Sequence, residues 1–116
     1  MKIASIERIT SVQHHPNADR LDLVFVLGYQ CITSRDQFQP GQLIVFIQPD
    51  SVLPNDQSWA QPFLKYARPR VRAMKIRDQW SEGLILPLND ADQRQRNEGD
   101  DVAEEFHIEH FQGTFS

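Results

Sequence analysis

The sequence predicts a mainly β domain: a small closed or nearly closed barrel of five or six short strands. One short helix is expected between the late strands, and a short helical turn near the C-terminus. Three observations predict this. Short apolar and β-branched runs recur along the chain, most of them stopped by Gly or Pro. Only one segment spaces its aromatics as a helix would. A chain of 116 residues, 40% hydrophobic and 24% charged, supports one core of ordinary size.

The first strand is expected over about residues 2–13, where Ile3, Ile6, Ile9, Thr10 and Val12 supply β-branched side chains. His15-Pro16-Asn17-Ala18-Asp19 ends it, because Pro16 has no N–H to give a ladder. Asn17 is placed to cap a short helical turn through Arg20, and Asp19 to cap or brace that turn. Residues 21–27 are apolar enough for a buried second strand, Gly28 marks a bend, and residues 29–33 continue as a third. Pro40-Gly41 is a turn. Leu43-Ile44-Val45-Phe46-Ile47 is the strongest strand pattern in the chain, and Pro49-Asp50-Ser51 stops it. Trp59, Phe63 and Tyr66 stand at helical spacing with Pro62 early enough for a first turn, so a helix is expected over about 59–67. Residues 70–80 read as one long polar strand. Gly83 separates it from a last strand over residues 84–88. Residues 89–99 are polar, turn-like and aperiodic, residues 101–106 suit a helical turn or two, and residues 107–116 carry no clear signal.

Charge is distributed unevenly. The formal charge of −4 argues against a polyanionic partner for the chain taken whole. Yet residues 65–77 hold Lys65, Arg68, Arg70, Arg72, Lys75 and Arg77 with no acid among them. Polyanion binding follows the local potential rather than the total. The competing reading is a solvated basic strand that protects a sheet edge. Other classes are disfavoured. No apolar run approaches the roughly 18–20 residues of a membrane helix, so no membrane association is expected. The first eight residues lack the apolar stretch of a secretory signal. A lone Cys31 leaves no internal disulfide and no cysteine zinc cage, which points to a reducing cytoplasm. The five glycines are scattered and form neither a P-loop nor a dinucleotide fingerprint, so no cofactor is expected.

Four segments then carry a resemblance. His15-Pro16-Asn17-Ala18-Asp19-Arg20-Leu21, followed by residues 24–28, resembles the opening of tRNA-binding domains and of the N-terminal OB-fold domain of the Deinococcus-type RNA ligase family. Phe38-Gln39-Pro40-Gly41 leading into Leu43-Ile44-Val45, Asp50-Ser51-Val52-Leu53-Pro54, and the stretch from Val71 through Lys75-Ile76-Arg77 and Ser81-Glu82-Gly83-Leu84 to Pro87-Leu88 resemble the ligase domain in its own order. The resemblance runs from about residue 2 to 111. It implies a five-stranded OB-fold barrel over residues 1–111, with 112–116 as a tail. Asp78 stands where the ligase pattern has Gly, and a carboxylate beside Arg77 opposes phosphate if that Gly serves close backbone approach. The family's ATP-dependent adenylation uses a Lys-x-Asp/Glu-Gly lysine in a nucleotidyltransferase domain after the OB domain. No lysine follows Lys75 here, so no adenylation residue carries over and the chain is not expected to be an enzyme on its own.

An OB barrel holds nucleic acid with a positive groove and stacking aromatics. The candidate cations are Lys65, Arg68, Arg70, Arg72, Lys75 and Arg77, and the candidate stacking residues are Tyr66 and Trp80. On a regular strand Arg68, Arg70 and Arg72 share one face, with Lys75 and Arg77 opposite unless a bulge near Ala73-Met74 reunites them. Tyr66 and Trp80 have an alternative role as core or barrel-end packing. Enzyme readings are weaker. Adjacent His14 and His15 cannot point the same way on a strand, and His107 with His110 would make a two-ligand metal pair on a helix without a clear third ligand. Ser51 and Ser81 lack a convincing base; Asp50, Asp78 and Glu82 are a chance-level carboxylate group; Cys31 suits a packed small residue. The sequence therefore favours a module that positions RNA or nicked duplex ends for a nucleotidyltransferase domain. A protein-interaction or homodimer module and a stand-alone tRNA-binding domain are its rivals.

Overall fold

The computed structural model describes residues 2–65 and 67–112. Its strands are β1 (Ala4–Arg8), β2 (Ser11–His14), β3 (Leu21–Val26), β4 (Tyr29–Ser34), β5 (Leu43–Ile47), β6 (Ser51–Val52), β7 (Met74–Ile76), β8 (Gln79–Ser81), β9 (Leu84–Pro87) and β10 (Glu109–His110). Two short helices, α1 (Gln61–Leu64) and α2 (Asp90–Gln95), lie between them.

The expected first strand is two strands that serve two sheets. β1 pairs antiparallel with β5, and β2 with β3. The partner changes at one corner, where the Ile9 N–H donates to Gln42 O at 2.9 Å and the Thr10 N–H to Phe25 O at 2.9 Å. β3 turns into β4 through Leu27-Gly28, both at positive φ (52° and 79°), the conformation that matches strand twist in a two-residue hairpin.

β5 is central. It pairs with β1 on one edge and β9 on the other, and every residue in it is buried. Its alternation divides the interior. Leu43, Val45 and Ile47 join Ala4, Ile6, Leu64, Val71, Leu86 and Val102 in one cluster. Ile44 and Phe46 join Ile9, Val24, Val26, Cys31, Phe38 and Ile85 in another. The outer edge of β1 is covered by residues 99–102, through Gly99 N–H to Ile6 O at 2.6 Å, Ile6 N–H to Asp100 O at 2.9 Å and Val102 N–H to Ala4 O at 3.0 Å.

The five-stranded barrel is not what forms. Among the described residues ten strands group into β1-β5-β9, β2-β3-β4, β6-β10 and β7-β8, and no ladder there joins β4 to β9. At Gly83 the chain changes partner. Its φ is +98°, and a Cβ built there stands 2.5 Å from Ile47 O and 3.0 Å from the Phe46 ring. Here the backbone passes from β8, which lies beside β4, into β9, which pairs with β5, so β4 and β9 approach without forming a ladder. The seam is crossed by single bonds: Glu82 N–H to Gln30 O at 2.7 Å, Ile32 N–H to Ser81 Oγ at 3.0 Å, and the Cys31 thiol to Glu82 O at 3.3 Å.

Other expectations need revision. Residues 70–80 are not one strand: β7 and β8 fold into a hairpin at Arg77-Asp78, both at positive φ (51° and 69°). Asp tolerates the left-handed region better than most residues, so Asp78 is a turn residue where the ligase pattern has Gly. Asp50, at φ 68°, makes the expected stop, but the chain resumes at once as β6 against β10. The helix expected over 59–67 is a single turn; Trp59 meets Phe106 edge-on at 5.9 Å, and Tyr66 lies outside the described residues, as do the tail positions 113–116. Residues 90–95 form α2 rather than loop. Asn89 caps it by accepting the Asp92 N–H at 2.8 Å, and Asp90 and Asp92 favour its first turn. α2 buries no residue, so it has no apolar periodicity. Residues 103–107 make the single helical turn expected there, with Phe106 N–H bonded to Val102 O at 3.1 Å, and do not continue into a helix.

Two outcomes follow for stability. Gly83→Ala costs roughly 1–3 kcal/mol from backbone strain alone, before its collision with Ile47 O, and lowers the thermal midpoint by about 5 °C or more; an unchanged midpoint would show that the close approach at Gly83 does not constrain the fold. Asp22 is 1% exposed. Burial pushes its carboxyl up, but bonds from His14 and the Asp36 N–H, with the charges of His14 and Arg35, outweigh this and hold it below the ordinary carboxylate value. Its contribution is therefore present above about pH 4 and lost as pH falls through the lower folded value. Thermal melts from about pH 6 downward should show a shallower acid loss in Asp22→Asn than in the parent.

Candidate nucleic-acid interface

The β7–β8 hairpin presents one face to the interior and one to solvent. Alternation turns Met74 and Ile76 inward and Lys75 outward; on β8 it turns Gln79 and Ser81 toward β4 and Trp80 outward. Lys75 and Trp80 are register partners, and the ammonium lies 5.9 Å from the indole centroid. Trp80 is 53% exposed, so the packing role open to it from sequence does not apply. Arg77 stands exposed at the hairpin tip.

This hairpin is anchored from two sides. The Gln30 amide donates to Trp80 O at 2.8 Å, and Ser81 accepts from Ile32. On the other side the loop after β2 holds the hairpin's last carbonyls. His15 Nε2 donates to Ile76 O at 2.9 Å, while its Nδ1 accepts the Asn17 N–H at 3.0 Å, a pair of bonds that requires the Nε2–H tautomer. Asn17 Nδ2 donates to Arg77 O at 2.9 Å. Asn17 therefore clamps the hairpin and does not cap a helical turn. The Asp19 carboxylate is not the brace expected of it; the Asp19 carbonyl accepts from Arg35 Nη1 at 2.9 Å.

The remaining candidates scatter. Lys65, Arg68 and Arg72 are exposed. Arg72 rims an apolar cavity of about 170 Å³ walled by Val71, Met74, Ile76 and Leu84. Arg70 pairs with Asp50 at 2.8 Å and stacks over Phe111 at 4.8 Å. Residues 68–73 are not strand, so Arg68, Arg70 and Arg72 do not share a strand face. Instead Val71 is the buried anchor, its carbonyl taking the Asp50 N–H at 2.7 Å and its N–H reaching Ser51 O at 2.8 Å. Tyr66 lies outside the described residues.

Residues considered for chemistry occupy structural places. His14 and His15 do point apart: His14 Nδ1 meets Asp22 at 3.0 Å. His107 sits in a turn and His110 on β10, so they share no helix, and no three potential metal ligands converge among the described residues. Ser51 is buried, with its hydroxyl directed to Ile3 O at 3.4 Å. Asp50, Asp78 and Glu82 serve an ion pair, a turn and the Gln30 N–H respectively. Burial and the Glu82 charge push the Cys31 thiol up to about 12, which leaves it protonated and a poor nucleophile.

Small sheets sharing a bent first strand, a fully buried central strand, and an exposed aromatic-and-basic hairpin define an OB-fold domain. The chain belongs to the PHA02142 OB-fold domain family, whose model matches residues 3–88. No curated protein sequence matches it. Among solved structures it is similar to RNA ligase from Naegleria gruberi. A mutant with AMP and manganese superposes with TM-score 0.86 at 24% identity, covering 100% of this chain and 37% of that one. A mutant with ATP and manganese gives 0.86 at 24%, covering 99% and 37%, and the enzyme with pyrophosphate 0.84 at 23%, covering 100% and 37%. The chain thus spans little over a third of those proteins. The shared fold agrees with the RNA ligase resemblance read from the sequence.

Asn17→Ala removes one anchor worth about 1 kcal/mol, so amides of residues 75–80 should exchange with solvent about fivefold faster while those of β5 are unchanged. Unaltered exchange in the hairpin would show that the clamp does not hold it.

Proposed function

We propose that this OB-fold domain binds nucleic acid, RNA or a nicked duplex end, and presents it to a nucleotidyltransferase domain. The observation that carries the reading is the Lys75–Trp80 pair on an anchored hairpin, with Arg77 at its tip. An indole left half in water on a rigid support offers a π-face to a base, worth roughly 1–3 kcal/mol per stacked base. The adjacent cations supply counterion release. Support for the ligase context comes from the likeness to RNA ligase structures and from the ordered segments that resemble the ligase domain. Arg70, held by Asp50 and Phe111, belongs to the scaffold in this reading; three or four of Lys65, Arg68, Arg72, Lys75 and Arg77 carry the phosphate contacts.

The acidic run offers a second reading. Between residues 90 and 109 stand Asp90, Asp92, Glu98, Asp100, Asp101, Glu104, Glu105 and Glu109 against Arg94 and Arg96. A protein-docking domain would use such a face, with Trp80 as an anchor.

Anisotropy titrations with labelled RNA and nicked duplex decide between them. Binding should weaken with salt at a log–log slope of about −2 to −4 for three or four engaged cations. Trp80→Ala should cost roughly 1–3 kcal/mol with little change of slope, whereas Lys75→Gln or Arg72→Gln should reduce the slope by about 0.7–0.9. No binding at about 50 mM salt, or a variant series indistinguishable from the parent, transfers the weight to protein docking.

The chain alone should form no covalent adenylate with labelled ATP, since no lysine follows Lys75 and no adenylation motif is present. A labelled band that survives denaturation refutes this.

A further inference from the structure

A cleft of about 350 Å³ lies between the loop of residues 17–21 and the hairpin tip at Ile76-Arg77. Two arginines are among its lining residues, Arg77 from the hairpin and Arg20 from the loop, which lies outside the basic run of the sequence. Both residues are exposed, and neither side chain has a hydrogen bond or ion pair among the described residues. Arg35, beside the same loop, is engaged by Asp19 O and His14.

The fold fixes the two backbone walls that carry the arginines. The Asn17 amide on Arg77 O and the His15 ring on Ile76 O tie the two walls together. Two unpaired arginines on tied walls are free to close on one anion, because neither has a partner among the described residues to give up. The planar fork of Arg matches phosphate oxygens bidentately, and two such forks carried on the walls of one cleft suit a single tetrahedral phosphate. The Asp19 carboxylate also lines the cleft and opposes an anion, leaving the cations in excess there by one.

We propose that Arg20 and Arg77 form a phosphate clamp, a site that receives one phosphate group of a nucleic-acid strand as the strand leaves the Lys75–Trp80 surface. The proposal rests on the nucleic-acid reading and adds to it a residue remote in sequence. The phosphate is either an internal phosphodiester or a terminal monoester, and the volume admits it with an adjoining ribose.

The test uses the full chain, labelled with nitrogen-15, and two short oligoribonucleotides of one sequence, with and without a 5′-phosphate. Saturable shifts are expected in the amides of residues 17–21 and 76–78 and in the Arg20 and Arg77 Nε–H groups. Shifts with both probes assign a phosphodiester; shifts with the phosphorylated probe alone assign a terminal phosphate. Arg20→Gln and Arg77→Gln should each weaken binding about tenfold, as loss of a charge-assisted bond does. The double variant should lose less than the product of the two, since either loss opens the clamp. Multiplying losses would show two independent cations and overturn the clamp. Shifts confined to Lys75 and Trp80, with Arg20→Gln binding as the parent does, would overturn it while leaving the nucleic-acid reading intact. Shifts nowhere would end both.

Discussion

A strand covered on both faces and paired along both edges must be apolar at every position, and β5 is. Leu43, Val45 and Ile47 enter one cluster, Ile44 and Phe46 the other, so five consecutive residues hold two halves of the interior in fixed relation. β1 and β9 can attach only in the register that keeps Ile6 and Leu86 on one side and Ile85 on the other. Deleting the Phe46 ring would be expected to cost about 3–5 kcal/mol. It would also remove the surface against which Gly83 turns and Tyr29 stacks, at 5.0 Å between ring centroids.

The open seam follows from that strand. At Gly83 the backbone closes on Ile47 O and enters β9 against β5, while the residues just before it form the β7–β8 hairpin, whose second strand lies beside β4. The hairpin is then held through side chains: Gln30 of β4 and the hairpin's own Ser81 on one flank, His15 and Asn17 on the other. Side-chain anchors can be changed one at a time without unravelling a sheet. Such a support combines rigidity with an exposed outer face, and Trp80 and Lys75 occupy that face.

Charge is arranged by the same topology. The acidic residues of the last third are spent partly on internal pairs, Arg96 with Glu105 and Arg8 with Glu98, while most cations of residues 65–77 remain unpaired among the described residues. A chain of net charge −4 thus keeps a cationic edge, and Arg20 extends it from a distant part of the sequence.

The β content, the strand at residues 43–47, the basic run and the OB-fold resemblance were legible in the sequence, because alternation, turn residues and charge runs are local properties. Pairing was not. The corner at Ile9-Thr10 exists only because two different strands accept those N–H groups. The hairpin at Arg77-Asp78 was hidden because neither residue is Gly, and α2 because it buries nothing. The sequence named Lys75, Arg77 and Trp80, since their chemistry does not depend on neighbours. That Arg70 is committed to Asp50, that Asn17 grips Arg77 O and that Arg20 shares a cleft with Arg77 was decided by tertiary structure, which alone brings together groups up to 60 residues apart.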